Sequence, residues 1–239
     1  ILKKPVFGIC HFTWDWFGEN MKKKIVKKNV LAEWAKYQKK ATKIFFPPLT
    51  PNVLYKKYPN HIKVPFLHLN NKNDINISVL KKKILFLDSG DNIYKSPFKN
   101  LINQNKNNKN IKIFHSEKLG NFKNSYIIKK KHFLTDFVRH VDYVFARPGY
   151  NTITSIIKFN KPATFIYDEN NPEMKWNTKV LNKMKIFRIC SINNLNKEFN
   201  LVINNKLKTK FIKNFNINKK KYNFNGQKII SNYIKRIIQ

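Results

Sequence analysis

The chain is short of the residues that would staple it or balance its charge. It has two cysteines, Cys10 and Cys190, 180 positions apart. Neither a disulfide framework nor a short metal-ligand spacing fits that pair, so they read as buried thiols of a reducing compartment. Acidic residues number 13 against 48 basic ones, a formal net charge of +35. Arginine is almost missing: Arg139, Arg147, Arg188 and Arg236 are the only four, which leaves 44 lysines. Arginine is the side chain that grips bases and phosphates bidentately, so a dedicated nucleic-acid reader is not expected to be this poor in it. No apolar run approaches the roughly 20 residues of a membrane span. No signal-peptide core is visible either, because Ile1-Leu2-Lys3-Lys4 leads directly into a short apolar strand. A Gly-x-Ser-x-Gly elbow, a P-loop and a paired Cys/His nucleophile motif are all lacking.

What is present supports a folded core. The chain has 239 residues, 42% of them hydrophobic, enough for one large or two small domains. Lysine, asparagine, isoleucine, phenylalanine and tyrosine dominate it. These are residues of A/T-rich codons, so much of the charge reads as compositional background, and a cytoplasmic protein is expected. Because the chain starts at Ile1 and already opens like a mid-sheet strand, an N-terminal part is expected to precede it.

Short apolar runs alternate with longer amphipathic ones, the pattern of an α/β layer fold. Strands are expected at 5–10 and 43–46, with a long helix over 20–42 and a proline-punctuated stretch ending in 64–69. The polar run Asn70-Asn71-Lys72-Asn73-Asp74 marks a boundary. Beyond it, strands are expected at 84–87, 111–115, 126–129, 143–146, 163–167 and 186–189. Helices are expected at 96–105, 133–140, 151–159, 172–184 and 226–238. Alternation at this pitch implies parallel βαβ units in a doubly wound sheet. The domains expected are 1–72, a partial α/β domain; 73–220, a second α/β domain; and 221–239, a helix packing back toward the first. The Asn/Lys stretches at 103–110 and 204–223 read as solvated loops and faces.

The most informative segment is 142–154, Asp-Tyr-Val-Phe-Ala-Arg-Pro-Gly-Tyr-Asn-Thr-Ile-Thr. An apolar strand ends in Arg147-Pro148-Gly149, and a helix begins at Asn151 or Thr152. Gly149 allows close backbone approach or a positive φ. The leading amides and positive dipole end of a helix suit a phosphate or diphosphate. An ordinary βα turn also needs a glycine and a cap, so the two readings stand side by side here.

Arg147-Pro-Gly-Tyr-Asn-Thr-Ile-Thr, then Lys161-Pro162-Ala-Thr-Phe-Ile, then Glu173 and Asn177, together resemble the donor half of nucleotide-sugar glycosyltransferases with the GT-B fold. The peptidoglycan UDP-N-acetylglucosamine transferase and its relatives carry such a loop, proline strand and polar loop in this order. Gly8-Ile-Cys-His-Phe-Thr-Trp-Asp-Trp also resembles a segment of the glycosyltransferase-like domains fused to sugar kinases. The resemblance implies Rossmann-type parallel sheets, with 73–220 a complete C-terminal nucleotide-sugar-binding domain and 1–72 the remainder of a partial N-terminal, acceptor-side one. It also implies a nucleotide-diphosphate sugar, a UDP-sugar, as partner, with no cofactor or metal and an acceptor that is a glycan or lipid-linked. Gly149, Tyr150, Asn151 and Thr152 would cradle the diphosphate beside Arg147. Ser89 and Gly90 would form a second phosphate-facing loop, and Glu173 would meet sugar or ribose hydroxyls, with Asn177 on the helix that follows. His11, Thr13, Trp14 and Asp15 would line the cleft between the domains.

Three positions depart from the family pattern. Ser155 stands where many relatives carry a ribose-binding glutamate, His11 replaces an asparagine, and Asp91 replaces the second glycine of the first glycine loop. The catalytic base is not assigned. Other groupings carry a blander reading beside the chemical one. His11, Asp15 and Glu19 fall at i, i+4, i+8, yet the interleaved Phe12, Trp14, Trp16 and Phe17 read as an aromatic packing segment. His132, Asp136 and His140 share a helical face, but two histidines eight positions apart with no third nearby read as surface or core rather than as zinc ligands. Rival functions are a UDP-sugar 2-epimerase-like enzyme of the same fold and a basic nucleic-acid-binding protein. A further reading places basic faces against an anionic membrane bearing a lipid-linked acceptor.

Overall fold

The computed structural model describes residues 4–68, 81–87, 92–123, 125–129, 133–206 and 222–238. Contacts divide the chain into two units, Ile1–His68 with Glu169–Asn177 and Tyr222–Gln239, and Leu69–Asp168 with Thr178–Lys221.

The first unit is built on a three-stranded parallel sheet in the order β1 (Phe7–Ile9), β2 (Lys43–Phe46), β3 (His61–Lys63). Two helices, α1 (Trp14–Glu19) and α2 (Lys28–Lys39), link β1 to β2, and α3 (Asn52–Lys57) links β2 to β3. Strand β2 is apolar on both faces because both are covered. Ile44 and Phe46 pack with Trp16, Leu54 and Tyr58 on one side. Phe45 packs with Val64 and with Ile230, Tyr233 and Ile234 on the other. Those last three belong to the final helix, α8 (Gly226–Ile238), and their i, i+3, i+4 spacing makes one apolar stripe. The start of α8 is pinned: Phe66 N–H donates to the Asn223 carbonyl at 3.0 Å, and Gly226 N–H to that of Phe66 at 3.4 Å.

The helix expected over 20–42 is confined to Lys28–Lys39. The run Lys22-Lys23-Lys24 places like charges within reach of Lys27 and Lys28 with no acidic residue between to offset them, which disfavours helix there. The aromatic run Phe12–Phe17 enters α1, which at six residues is too short to stand alone and is held by tertiary packing of Trp16. Strand β3 lies ahead of the stretch expected at 64–69, between Pro59 and Pro65.

The second unit is a six-stranded, all-parallel sheet. Its strands are β4 (Lys82–Leu87), β5 (Ile111–Ser116), β6 (Ser125–Ile128), β7 (Tyr143–Ala146), β8 (Ala163–Ile166) and β9 (Arg188–Cys190). They lie in the order β6-β5-β4-β7-β8-β9, the 3-2-1-4-5-6 arrangement of the doubly wound fold. Helices α4 (Asn92–Gln104), α5 (Tyr150–Lys158) and α7 (Leu195–Ile203) complete it, with the latter half of α6 (Pro172–Met184), whose start through Asn177 belongs to the first unit. Every residue of β7 and β8 is buried, as central strands require. The core is aromatic: the Phe86 ring lies 4.7 Å from Phe98, 5.3 Å from Phe145 and 5.9 Å from Phe199, centroid to centroid. Residues 134–140 form a 3₁₀ helix, not an α-helix, so Asp136 and His140 do not stack as an i, i+4 pair; His132 lies outside the described residues.

Candidate functional site

In a doubly wound sheet the crevice opens where strand order reverses, outside the carboxyl ends of the strands. Here the reversal falls between β4 and β7. Strand β7 ends at Ala146, and Arg147-Pro148-Gly149 carries the chain from it into α5. Gly149 N–H donates to the Arg147 carbonyl at 2.9 Å, which folds the turn tightly around Pro148. Gly149 is the residue that caps α5, with φ −77° and ψ 148°, so the positive-φ option open to a glycine is not used. The helix ladder begins with Ile153 N–H donating to the Gly149 carbonyl at 3.0 Å. The amides of Tyr150, Asn151 and Thr152 therefore precede the ladder, and the cap residue has no side chain to engage them. Asn151 is exposed and Thr152 half-exposed, while Tyr150 is buried and Arg147 half-buried.

The other expected donor contacts divide. Ser89 and Gly90, with Asp91, lie outside the described residues. Ser155, expected near ribose, is 4% exposed. Its hydroxyl donates to the Asn151 carbonyl at 2.9 Å, as does that of Thr154. A hydroxyl engaged with its own helix backbone is a packing group there. Asn177, on α6, is wholly buried at 0% exposure.

Glu173, in the first turn of α6, meets a residue expected on the acceptor side. His11 Nε2 lies 3.3 Å from Glu173 Oε1. His11 sits in the loop after β1, edge-on to the Phe12 ring at 4.6 Å. The same turn of α6 is held a second time: Trp176 Nε1–H donates to the Leu49 carbonyl at 2.7 Å, and its ring packs edge-on to Trp16 at 6.4 Å. Leu49 adopts the left-handed region with φ 74°, in the corner closed by Thr50 donating to the Pro47 carbonyl. Motif reading found Glu173 but missed its pairing with His11, since 162 positions of sequence separate them.

His11, Asp15 and Glu19 do not line one helix face, because α1 begins at Trp14. Asp15 is 0% exposed and is built into the unit: Gln38 Nε2 and Tyr58 Oη donate to its Oδ1 at 3.0 and 2.8 Å. Lys57 reaches both Asp15 and Glu19. Burial by itself would raise the Asp15 carboxyl, but hydrogen bonds from Lys57 and Tyr58 and the lysine charge hold it below its ordinary value. Thr13 is buried beside it, while Trp14 is 63% exposed and leans on Phe12 and Phe17. Asp15 thus ties α1, α2 and α3 together.

No protein-family model and no curated protein matches this chain in sequence. Its fold does match solved structures. MurG of Acinetobacter baumannii aligns with a TM-score of 0.54 at 15% identity, over 98% of this chain and 67% of that one. The spinosyn forosaminyltransferase SpnP gives 0.56 at 9% identity, over 88% and 61%. The Streptomyces sp. SF2575 glycosyltransferase SsfS6, solved with thymidine diphosphate, gives 0.54 at 11%, over 87% and 57%. The chain has the fold of the GT-B glycosyltransferases and spans 57% to 67% of the length of these three.

Proposed function

We propose that this chain carries the donor side of a glycosyltransferase that moves a sugar from a nucleotide diphosphate, a UDP-sugar, to an acceptor hydroxyl. The carrying observation is the Gly149 turn, which opens α5 at the reversal point of the parallel sheet with its leading amides ahead of the helix ladder. The amides of Tyr150, Asn151 and Thr152, the Thr152 hydroxyl and the Arg147 guanidinium receive the diphosphate. Glu173 accepts hydrogen bonds from sugar hydroxyls. In the reaction the anomeric carbon–oxygen bond to the diphosphate breaks as the acceptor oxygen bonds to that carbon, and the acceptor proton leaves to a base. Charge grows on the departing diphosphate, and fixed amides stabilise it without reorganising. Ser155, its hydroxyl held by the helix, stays outside this contact set.

Calorimetric titration with UDP and with thymidine diphosphate tests the reading. Wild-type protein is expected to bind at least one of them at millimolar concentration or better. Gly149→Asp puts a carboxylate before the amides and abolishes binding; Thr152→Ala weakens it about fivefold, the loss of one hydrogen bond. Absence of binding to either nucleotide, or equal binding by the variants, would refute the site.

A further inference from the structure

The connection from α1 to α2 carries four lysines, Lys22, Lys23, Lys24 and Lys27, and Lys28 opens α2; all five are exposed. From Asn20 to Ala32 there is no acidic residue to offset them. Within this run Ile25 is 70% exposed. A tight turn, Ile25 N–H donating to the Lys23 carbonyl at 2.8 Å, holds it within the lysine run. Helix α2, which follows, has no buried residue at all. Its apolar Val30, Leu31 and Trp34 are only half-covered, while Lys28, Lys36 and Lys39 are exposed. Leu31 and Trp34 lie against Gly18 of α1, so the basic side and Ile25 are what this region presents outward, a combination suited to a lipid–water interface.

We propose that the 20–28 segment and α2 dock the protein on an anionic lipid surface, the lysines facing headgroup phosphates and Ile25 entering the interface. The occupant is chosen by chemistry. A sheet of lipid phosphates is a diffuse negative surface that point-charge lysines serve well, each adding to the attraction. Reading a nucleic acid favours arginine forks, and the segment has no arginine. An apolar side chain displayed among lysines gains nothing from a phosphodiester backbone but gains burial in a bilayer interface. The inference stands on surface residues alone and is independent of the nucleotide reading.

Sedimentation with phosphatidylcholine vesicles, with and without phosphatidylglycerol, tests it. Binding is expected only to the anionic vesicles, weakening as salt rises. The triple variant Lys22→Glu/Lys23→Glu/Lys24→Glu should bind them about tenfold more weakly or worse. Ile25→Ser should weaken binding several-fold while leaving the salt dependence intact. All four side chains are exposed, so unchanged melting curves confirm intact folding and an unchanged nucleotide titration separates this site from the donor site. Equal binding to neutral vesicles, or undiminished binding by the triple variant, overturns the proposal. So does single-stranded RNA that binds more tightly than the vesicles and is lost in the same triple variant.

Discussion

Asp15 Oδ2 lies 2.5 Å from Lys57 Nζ, with the carboxylate shut off from solvent and the ammonium partly so. Lys57 also donates to Glu19 at 2.8 Å, and Tyr58 Oη completes the cage. Asp15→Asn leaves a partly buried ammonium facing a neutral amide. Removing one member of a buried pair costs about 3 kcal/mol. Urea unfolding should show a loss of that order, whereas Glu19→Gln, on the exposed side of the same lysine, should cost under about 1 kcal/mol.

The same pair has a pH signature. The Asp15 carboxyl titrates below its ordinary value in the folded protein, so the unfolded chain takes up the proton first as acid is added. Its stabilisation is complete above the unfolded carboxyl pKa of about 4 and is lost as pH falls through the lower folded value. The stability difference between wild type and Asp15→Asn should therefore be flat at neutral pH and shrink only in acid. A difference that grew on acidification would contradict the assignment.

Both thiols are expected to be inert in the native state. Burial, aided at Cys10 by the Asp15 charge and at Cys190 by Glu198, pushes each up to about 12. Only the thiolate is nucleophilic, so at neutral pH neither should react with a disulfide reagent until the chain unfolds. Titration with Ellman's reagent should find no fast thiol in the folded protein and two in denaturant.

Gly226 opens α8 hard against the 65–67 backbone. A Cβ there would meet the Pro65 carbonyl and would lie 2.5 Å from Leu67 Cδ2. A carbonyl fixed in the chain has little room to yield, so Gly226→Ala should destabilise by about 2 kcal/mol despite alanine's better helix propensity. Thermal melting measures this directly. A stabilised variant would mean that the helix start can shift.

Arg188 and Glu198 join β9 to α7 through a fork, with Nε to Oε2 at 2.6 Å and Nη2 to Oε1 at 2.7 Å. Lysine presents a point charge and makes only one of these bonds. Arg188→Lys should cost about 1 kcal/mol in denaturant unfolding, discounted for the partial exposure of the pair.

Much of the fold was legible from local pattern. Strand β7 and helices α6 and α8 begin and end where apolar periodicity and the Pro172 and Gly226 signals place them. The turn of Arg147-Pro148-Gly149 into a helix was equally visible, because strand, breaker and helix follow one another within a few residues. Helix α7 was missed: its apolar positions Leu195, Phe199 and Val202 are diluted by asparagine and charge, and only packing of Phe199 on Phe86 and Phe145 secures it. Helices α1 and α3 were also missed. Six residues each, they have too little intrinsic helix stability to leave a periodic signal.

The sequence by itself therefore determined the alternating α/β character, the parallel sheets and the glycine turn at a helix start, since each rests on neighbours in the chain. It also exposed the excess of lysine over arginine that weakens the nucleic-acid reading. Only the tertiary structure decided which of the singled-out polar side chains meet. Asp15, a candidate for the cleft, is consumed by Lys57, Tyr58 and Gln38; Ser155 is held by its own helix; and His11 finds Glu173. The reason is physical. A buried polar group must be satisfied by whatever the fold brings to it, and partners such as those of Asp15 and His11, 23 to 162 positions away in the chain, leave no mark on local pattern.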